Sequence, residues 1–424
     1  MIQMNRRQAL SYFLPAAVSL HAADEGDLAL FFQLLSFNRQ EAAAALVEIR
    51  RTWHPGYVPM LAELLQLFAV ASRSRIGVEA TRAPIVSLLA EKTGQTFGDE
   101  PSQWYRWNWT RPYAPHPKYG EFKGLLYRNL DRRMGDFFPP EVDSRIRLDQ
   151  VQWGGVMVNG IPPLVNPAMM AAKDAAYLKD SNVVFGVARE GEARAYPKRI
   201  LAWHEMALDH IGSVDLTLVY CTLCGTVIPY RSETGGRKFT FGTSGLLYES
   251  SKLMFDEETR SLWSTLQGQP VIGKLARSGL QLEFEPVVTT TWGEWRGEHP
   301  ETMVLSTDTG HRRDYSEGAA YRAYFATDEL MFDVSHRDTR LKNKEEILAI
   351  RLAGKKPLAI PVRLLPRKGE FKVVHEGTEI VIHTSKQGAN RVYLNGRQIP
   401  AHRAFWFGWI TQYPDTVLLS PRRH

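Results

Sequence analysis

Cysteine is scarce in this chain of 424 residues, which contains two, Cys221 and Cys224. Two cysteines cannot build the disulfide framework of a small secreted scaffold, so that class is excluded. Long apolar runs are missing as well, since no stretch reaches the roughly 18 to 20 apolar residues that a membrane-spanning helix needs. We therefore expect no transmembrane span in the mature chain.

Charge of one sign is not concentrated anywhere. Lysine and arginine number 52 against 46 acidic residues, which gives a net charge of +6, and the positive residues are scattered. Scattered charge argues against a nucleic-acid partner. Neither a dinucleotide-binding glycine fingerprint nor a P-loop occurs. At about 150 residues per domain, the length predicts two or three packed units.

The amino terminus has the layout of an export signal. Arg6 and Arg7 precede an apolar stretch over 9–20, which small residues follow. The paired arginines resemble a twin-arginine signal. We expect residues 1–23 to direct the chain out of the cytoplasm, to the periplasm or the exterior, although an amphipathic first helix would give a similar pattern.

Two patterns divide the rest of the chain. Over 24–115, apolar residues recur three and four positions apart, which predicts helices, and Pro55-Gly56 separates two of them as in a HEAT-like array. Such an array is typical of a scaffold or of a docking face for a protein partner. After about residue 145, short runs such as LTLVY and EIVIH predict strands. The predicted fold class is α+β, with a HEAT-like α-helical domain followed by a mainly β body.

The β body contains an internal duplication. Residues 183–201 align without a gap on 347–365, and residues 292–306 align on 406–420. The two offsets are 164 and 114, so the first copy holds about 50 residues that the second lacks. We expect the shared parts to carry the fold and the surplus to carry the function. The surplus includes the CTLC segment, whose place in the second copy falls near 385–388.

The predicted organisation follows from these patterns. It comprises, in order, an export signal (1–23), a helical domain (24–115), a connecting segment (116–182), a first copy with the inserted stretch and the CxxC (183–306), a linker (307–346) and a shorter second copy (347–424).

Several uncommon motifs occur in order in the body, namely YCTLCGT, FGTSGLLY, DEETRSLWS and TTWGEWRGEHPETMVLS. In these motifs the chain resembles the domain of unknown function 3179 family, whose bacterial and archaeal members often carry export signals. The resemblance covers about 145–365, and Phe255 stands where the pattern often has tyrosine. It implies no activity, because the family is uncharacterised.

The two cysteines form a C-x-x-C at the end of the apolar strand LTLVY. Thiols at this spacing bind a soft metal, cycle with a disulfide or form a static disulfide. A metal site needs further ligands, and His204 on the preceding helix and the thioether of Met254 are the candidates. Our leading hypothesis is therefore a copper or zinc site formed by Cys221, Cys224, His204 and Met254, with or without redox activity.

Two other classes of function stay open. The first is a thiol–disulfide redox protein, although the apolar Thr-Leu between the cysteines does nothing to lower a thiol pKa. The second is a non-enzymatic binding or scaffold protein. Neither the substrate nor the presence of an enzymatic activity follows from the residues.

Polar residues elsewhere are candidates for catalysis. Glu205, Asp256 and Glu258 suit acid–base work, and Arg313 suits an anionic group. These residues could instead have structural roles, the close carboxylates in a solvated turn and the arginine in a salt-bridge network. Side chains near these groups are expected to line a polar pocket: Ser244, Tyr248, Ser261, Trp263, Asp314 and Tyr315. Ser244 lacks the G-x-S-x-G spacing, so hydrolase chemistry is weakly supported.

Overall fold

The computed structural model describes residues 27–36, 38–72 and 79–420. The chain divides into two compact units, Met1–Val151 and Gln152–His424. The predicted export signal at 1–23 lies outside the described residues, so export stays a prediction. Within the described part, no helix combines the length and apolar character needed to cross a membrane.

The first unit is helical, as the periodicity predicts. Helix α2 (Arg39–Arg51) illustrates how the sequence specifies these helices. Asn38 accepts the backbone N–H of Gln40 at its start. Its buried residues fall three and four positions apart, at Ala42, Ala45 and Ile49. The HEAT-like arrangement stays a prediction. The helices are α1 (Asp27–Gln33), α2 (Arg39–Arg51), α3 (Tyr57–Ser72), α4 (Glu79–Thr93), α5 (Pro101–Trp109) and α6 (Tyr119–Arg128).

A buried ion pair joins α3 to α6. The ammonium of Lys123 bonds to the carboxylate of Glu63, which also accepts the hydroxyls of Tyr119 and Tyr127 at 3.0 Å each. Burial lowers the pKa of Lys123, and the attraction of Glu63 opposes that change. A buried pair with this many hydrogen bonds fixes how the two helices pack.

The second unit is mainly β. Among the described residues, five sheets of four or five strands form a propeller-like ring, and β9 and β10 form a separate ribbon. Its strands and helices are, in chain order, β1 (Val151–Trp153), β2 (Leu164–Val165), β3 (Met169–Ala171), β4 (Val183–Arg189), β5 (Glu192–Pro197), α7 (Lys198–His204), β6 (Met206–Ile211), β7 (Val214–Cys221), β8 (Thr226–Arg231), β9 (Glu233–Thr234), β10 (Arg237–Lys238), β11 (Phe241–Tyr248), β12 (Ser251–Asp256), β13 (Leu262–Ser264), β14 (Gln269–Ile272), β15 (Val288–Thr291), α8 (Trp292–Glu298), β16 (Met303–Leu305), α9 (Arg322–Phe325), β17 (Glu346–Ile350), β18 (Leu358–Pro361), β19 (Gly369–His375), β20 (Thr378–Thr384), β21 (Asn390–Leu394), β22 (Arg397–Ile399), β23 (Ala401–Phe405), α10 (Trp406–Gln412) and β24 (Val417–Leu418).

Two of the five sheets have the same topology. The order β15-β4-β5-β16 corresponds to β23-β17-β18-β24, and in each the first two pairs are antiparallel and the third is parallel. A short helix follows the first strand of each, α8 in one and α10 in the other. These are the segments that the sequence comparison aligned.

The strand register refines that alignment. Gly186 pairs with Ala195 on the neighbouring strand, and Ala349 pairs with Ala359. Ala195 and Ala359 are 359 − 195 = 164 residues apart, whereas Gly186 and Ala349 are 349 − 186 = 163 apart. The alignment without a gap is therefore wrong by one residue in β4, because the second hairpin loop is one residue longer.

A second pair of sheets also corresponds. Strands β6-β7-β8 and β19-β20-β21 are both antiparallel meanders, and Ile211 pairs with Val214 as His375 pairs with Thr378, 164 residues later. The sheet β1-β11-β12-β13-β14 is left without such a counterpart in the described part of the chain. Strands β11 to β14 of this sheet and the β9–β10 ribbon lie where the predicted first copy is longer than the predicted second copy.

Buried tryptophans anchor the corresponding helices. Trp295 in α8 donates from Nε1 to the hydroxyl of Thr302 at 3.0 Å, and Trp409 in α10 donates to Thr416 at 2.9 Å. Both indoles are buried, at positions 114 residues apart. The repeated tryptophans therefore serve packing, as the sequence comparison suggests.

Candidate functional site

The two cysteines form a disulfide at the turn between β7 and β8. Their residues are buried, with exposed fractions of 1% for Cys221 and 0% for Cys224. The end of β23 covers the turn, because the backbone N–H of Phe405 donates to the carbonyl oxygen of Cys224 at 2.8 Å. Gly408 packs so closely that a Cβ at that position would lie 3.0 Å from Cys224 Cβ. The disulfide is thus enclosed by protein.

A buried ion pair lies beside the disulfide. Glu205 follows α7 in a left-handed conformation, with φ of 56°. Its Oε1 accepts the hydroxyls of Thr222 at 2.7 Å and Tyr321 at 3.1 Å. The ammonium of Lys252 lies 3.5 Å from Oε2 and donates to the carbonyl oxygen of Glu205 at 2.8 Å. Because Thr222 stands between the two cysteines, the ion pair contacts the turn that carries the disulfide.

Burial dominates the electrostatics of this pair. It lowers the pKa of Lys252, and the nearby carboxylate of Glu205 acts in the opposite direction. Removing two charged groups from water is costly unless they are paired and hydrogen-bonded. Here the carboxylate accepts two hydroxyls and the ammonium has a carbonyl partner, so both charges have partners within the protein.

Three hydroxyls lie close to the cysteines in the sequence or in space. Ser251 Oγ is 3.3 Å from Cys224 Sγ and 3.4 Å from the carbonyl oxygen of Glu249, and since a disulfide sulfur carries no proton, the one hydroxyl proton is shared between these two acceptors. The buried hydroxyls of Tyr220 and Ser250 have no hydrogen-bond partner within the described part of the chain. Burial raises the pKa of the Tyr220 phenol. Buried polar groups without partners are rare, and functional sites are one of the places where they occur.

His204, predicted as a metal ligand, has other partners. Its Nδ1 lies 2.9 Å from the carbonyl oxygen of Pro162, so Nδ1 is the donor and Nε2 is left to accept the hydroxyl of Tyr315 at 2.5 Å. Burial lowers the pKa of His204 to about 4, the Pro162 bond opposes this, and the charges of His311 and Arg313 lower it further. The imidazole is therefore neutral near pH 7, with both nitrogens occupied.

Met254, the predicted thioether ligand, lies on β12 in a hydrophobic cluster opposite Trp263. Within residues 27–36, 38–72 and 79–420, no three His, Cys, Asp or Glu side chains converge so that they could hold a metal ion. The structure joins Cys221 to Cys224 and gives the other two predicted ligands different neighbours.

Asp256 and Glu258 have separate structural contacts. Asp256 is buried and accepts the backbone N–H of Thr259 at 2.5 Å and the indole N–H of Trp263 at 2.7 Å. Glu258 is exposed, and its carboxylate accepts the backbone N–H of Thr240 at 3.0 and 3.1 Å. The first carboxylate bonds within the turn after β12 and the second bonds to the loop that precedes β11, and an acid–base role for the two stays a prediction.

The serines predicted to line a pocket bond to backbone groups. Ser244 donates to the carbonyl oxygen of Leu253 at 2.6 Å, and Ser261 accepts a backbone N–H at 3.1 Å. Tyr248 lies at the end of β11, opposite Ser251, which contacts Cys224. Of these three residues, Tyr248 is therefore the one placed next to a residue of the disulfide site.

The loop with Arg313, Asp314 and Tyr315 lies beside His204. The hydroxyl of Tyr315 bridges the imidazole and the hydroxyl of Thr309, which is 2.6 Å away. Arg313 and Asp314 are exposed. A role for Arg313 in holding an anionic group stays a prediction.

The sequence pointed to Glu205 but missed Thr222, Lys252 and Tyr321 as its partners. One signal was available in the sequence, because Lys252 directly precedes the apolar run LMF and a lysine enclosed with such a run is rarely found without a partner. Tyr321 gave no signal, since 116 residues separate it from Glu205.

Comparison with known proteins identifies a family for the chain. The model of a family described as "Protein of unknown function (DUF3179)" matches residues 158–398, which is more than half of the chain. The match includes both cysteines, Glu205, Lys252 and Tyr321. No curated protein and no solved structure matches the chain.

Proposed function

We propose that this chain, which belongs to the DUF3179 family, is a thiol–disulfide protein whose cysteine pair alternates between a disulfide and two thiols. One observation carries the proposal. Thr222, between the cysteines, donates to buried Glu205, which is paired with buried Lys252. Buried ionisable groups concentrate at sites where protons and charge are handled.

The proposed reaction is thiol–disulfide exchange with a partner thiol. A partner thiolate attacks Sγ of Cys221, a mixed disulfide forms there, and the bond to Cys224 breaks with Cys224 leaving as a thiolate. A second partner thiolate attacks the partner sulfur of the mixed disulfide and releases Cys221. Two partner thiols thus become one disulfide, and two electrons and two protons pass to the cysteine pair.

The surroundings favour Cys224 as the leaving sulfur. The hydroxyl of Ser251, 3.3 Å away, can donate to the negative charge that develops there. A hydrogen bond donated to a thiolate lowers the pKa of the thiol and so stabilises the reduced form.

Thiol trapping on the folded protein tests this function. The purified chain is equilibrated with graded ratios of reduced to oxidised dithiothreitol and then alkylated. Mass spectrometry counts the alkylated thiols. We expect no labelled thiols under oxidising conditions and two under reducing conditions, reversibly and with an unchanged circular dichroism spectrum. A pair that labels only after unfolding, or a chain that unfolds on reduction, would indicate a static disulfide and contradict the proposal.

The Ser251→Ala variant tests the identity of the leaving sulfur. Loss of a hydroxyl that donates to Cys224 should slow reduction by dithiothreitol roughly threefold to tenfold, the effect of one hydrogen bond. The matched control is Ser264→Ala, which removes another buried hydroxyl of the same sheet, one bonded to Gln412 at 3.0 Å. Equal rates in the two variants would exclude Ser251 from the reaction.

A copper or zinc site is the second candidate. It is favoured by the adjacency of the two sulfurs, which after reduction could bind one soft cation. His204 and Met254 would have to leave their present partners to complete such a site. Elemental analysis of the reduced protein tests this. About one metal per chain, lost in the Cys221→Ser, Cys224→Ser double variant, would support the site, and metal-free wild-type protein would exclude it.

The remaining expectations concern the rest of the chain. An extracytoplasmic location suits a disulfide, because thiols stay reduced in most cytoplasms. The matching topology and register of two pairs of sheets support an origin by internal duplication. The helical unit is proposed as a HEAT-like scaffold that docks a protein partner, and binding without catalysis is the alternative for the whole chain.

A further inference from the structure

We propose that the segment from Gly318 to Phe325 is a strap that closes over the disulfide and is released when the cysteine pair is reduced. The inference rests on the proposed thiol–disulfide function. The strap lies in the linker between the two copies, and its α9 presents Tyr324 inward while Arg322 and Ala323 are exposed.

Both inward tyrosines of the strap bond to the disulfide site. The hydroxyl of Tyr324 donates to the carbonyl oxygen of Leu223 at 2.9 Å. The hydroxyl of Tyr321 donates to Glu205 at 3.1 Å, and the same oxygen of Glu205 accepts Thr222. Thr222 and Leu223 are the two residues between the cysteines. The hydrogen bonds of both tyrosines therefore depend on the conformation of the turn that the disulfide closes.

A third contact reaches the same turn through a phenylalanine pair. The ring of Phe325 packs against that of Phe405, with 6.1 Å between centroids. Phe405 in turn donates its backbone N–H to Cys224, and its ring lies where a Cβ on Gly225 would be. The strap thus contacts the turn directly at Leu223, and it is linked to Thr222 through Glu205 and to Cys224 through Phe405.

Reduction alters the turn on which these contacts depend. A disulfide holds its sulfurs about 2 Å apart, whereas two thiols separate to roughly van der Waals distance, near 3.5 to 4 Å. In a site packed as closely as Gly408 against Cys224, the added separation must displace the turn. Leu223 and Thr222 move with it, and the hydrogen bonds of the two tyrosines lengthen or break.

The backbone of the strap favours release. Tyr321 has a left-handed φ of 60°, a conformation that costs a residue with a side chain about 1 kcal/mol or more. That conformation persists while the hydroxyl bond and the burial of the ring hold it. Gly318, with φ of 73°, provides a flexible start to the segment. At the other end Lys344 bonds to the carbonyl oxygens of Tyr324 and Thr327, so the strap has one anchor that does not involve the cysteines.

The closed strap also limits the class of partner. Both cysteines are enclosed, and exchange requires a thiolate to reach a sulfur atom in line with the disulfide bond. A small thiol can enter through transient opening of one strap of about eight residues, whereas a cysteine on a protein surface would need the strap fully displaced. We therefore infer a low-molecular-weight thiol as the partner of the oxidised form.

Hydrogen exchange of the full-length protein tests the release. Amide exchange over 316–328 is measured by mass spectrometry in the oxidised and dithiothreitol-reduced states. We expect at least about tenfold faster exchange in this peptide after reduction, and little change over 378–394, which covers β20 and β21. Reversible two-thiol labelling with identical exchange in both states would overturn the strap while leaving the redox function intact. A pair that cannot be reduced in the folded protein would overturn the redox function itself.

Variants of the strap provide a second measurement. Tyr321→Phe and Tyr324→Phe each remove one hydroxyl bond to the site, so reduction by dithiothreitol should accelerate roughly threefold to tenfold. Tyr413→Phe is the matched control, because its hydroxyl bonds to the carbonyl oxygen of Leu266 at 3.1 Å, away from the strap. If reduction accelerates equally in the control, or does not accelerate in the strap variants, the strap does not limit access to the disulfide and the proposal is contradicted.

Discussion

His204 should make the folded chain sensitive to acid, because its buried ring must stay neutral. The surroundings lower its pKa to about 4 from an ordinary 6.5. In the unfolded chain the ring regains its ordinary value. Between these pH values the unfolded chain binds a proton that the folded chain does not, so the free energy of unfolding falls as the pH falls. This contribution is present above about pH 6.5 and is lost by about pH 4.

The size of the effect follows from the two values. The difference between 6.5 and about 4, at 1.36 kcal/mol for each pH unit, corresponds to about 3 kcal/mol. That is a large share of the roughly 5 to 15 kcal/mol by which a domain is stable. Burial is the largest cause, and the nearby cationic groups His311 and Arg313 add to it.

Urea unfolding between about pH 7 and pH 4 measures this contribution. The wild type and His204→Gln are compared at each pH, with exposed His210→Gln as the control. The glutamine variant should be less stable than the wild type at neutral pH, and the gap between the two should narrow by about 3 kcal/mol towards pH 4. An identical pH dependence in His204→Gln and the wild type would refute the reasoning.

Two further sets of substitutions test the packing of the second unit. Lys252→Met should lower the free energy of unfolding by about 3 to 5 kcal/mol, because it leaves the carboxylate of Glu205 buried without its cation, and adding Glu205→Gln should restore much of the loss. Urea titration checks both, and a double variant as unstable as the single one would contradict the pairing. Gly186→Ala should cost about 1 to 3 kcal/mol, since its Cβ would lie 2.3 Å from the ring of Trp295. Gly297→Ala, whose Cβ meets nothing within 4 Å in α8, should instead add about 0.5 to 1 kcal/mol. Thermal melts distinguish the two glycines, and equal shifts would exclude the close contact.

The parts of the fold that could be predicted are those set by local patterns. Apolar spacing in α2 and β-branched runs such as β7 fix the element types, because each pattern acts within a few residues. The pairing of Cys221 with Cys224 was foreseeable for the same reason, as three residues of separation already bring the two side chains together.

One residue explains why Glu205, and not His204, contacts the turn that carries the cysteines. We placed His204 beside the cysteines because α7 directly precedes the strand pair. The helix ends at His204, and Glu205 takes a left-handed conformation that glycine or asparagine would ordinarily adopt. The backbone therefore changes direction between the two residues, so that the carboxylate meets Thr222 and the imidazole meets Tyr315. A glutamate at this position gives no signal of such a turn.

We expected the functional residues to lie in the part of the chain that only the predicted first copy has, and the cysteine turn does not follow that expectation. The cysteine turn has a counterpart, because Tyr220 pairs with Val227 across it as Thr384 pairs with Asn390 in the second copy. The separations are 227 − 220 = 7 and 390 − 384 = 6, so the first copy differs there by one added residue. The inserted sheet contributes Ser251 and Lys252 from β12.

Neither the cysteine turn nor the inserted sheet would form the site alone. A disulfide turn without Lys252 would leave Glu205 buried without a cation, and the inserted strand without the turn would leave the lysine with the same difficulty. The second copy then encloses the turn through Phe405 and Gly408. Because the charges are tolerable only when all three parts are packed together, we expect the proposed chemistry of the cysteine pair to depend on the assembled ring of sheets and not on the CxxC segment by itself.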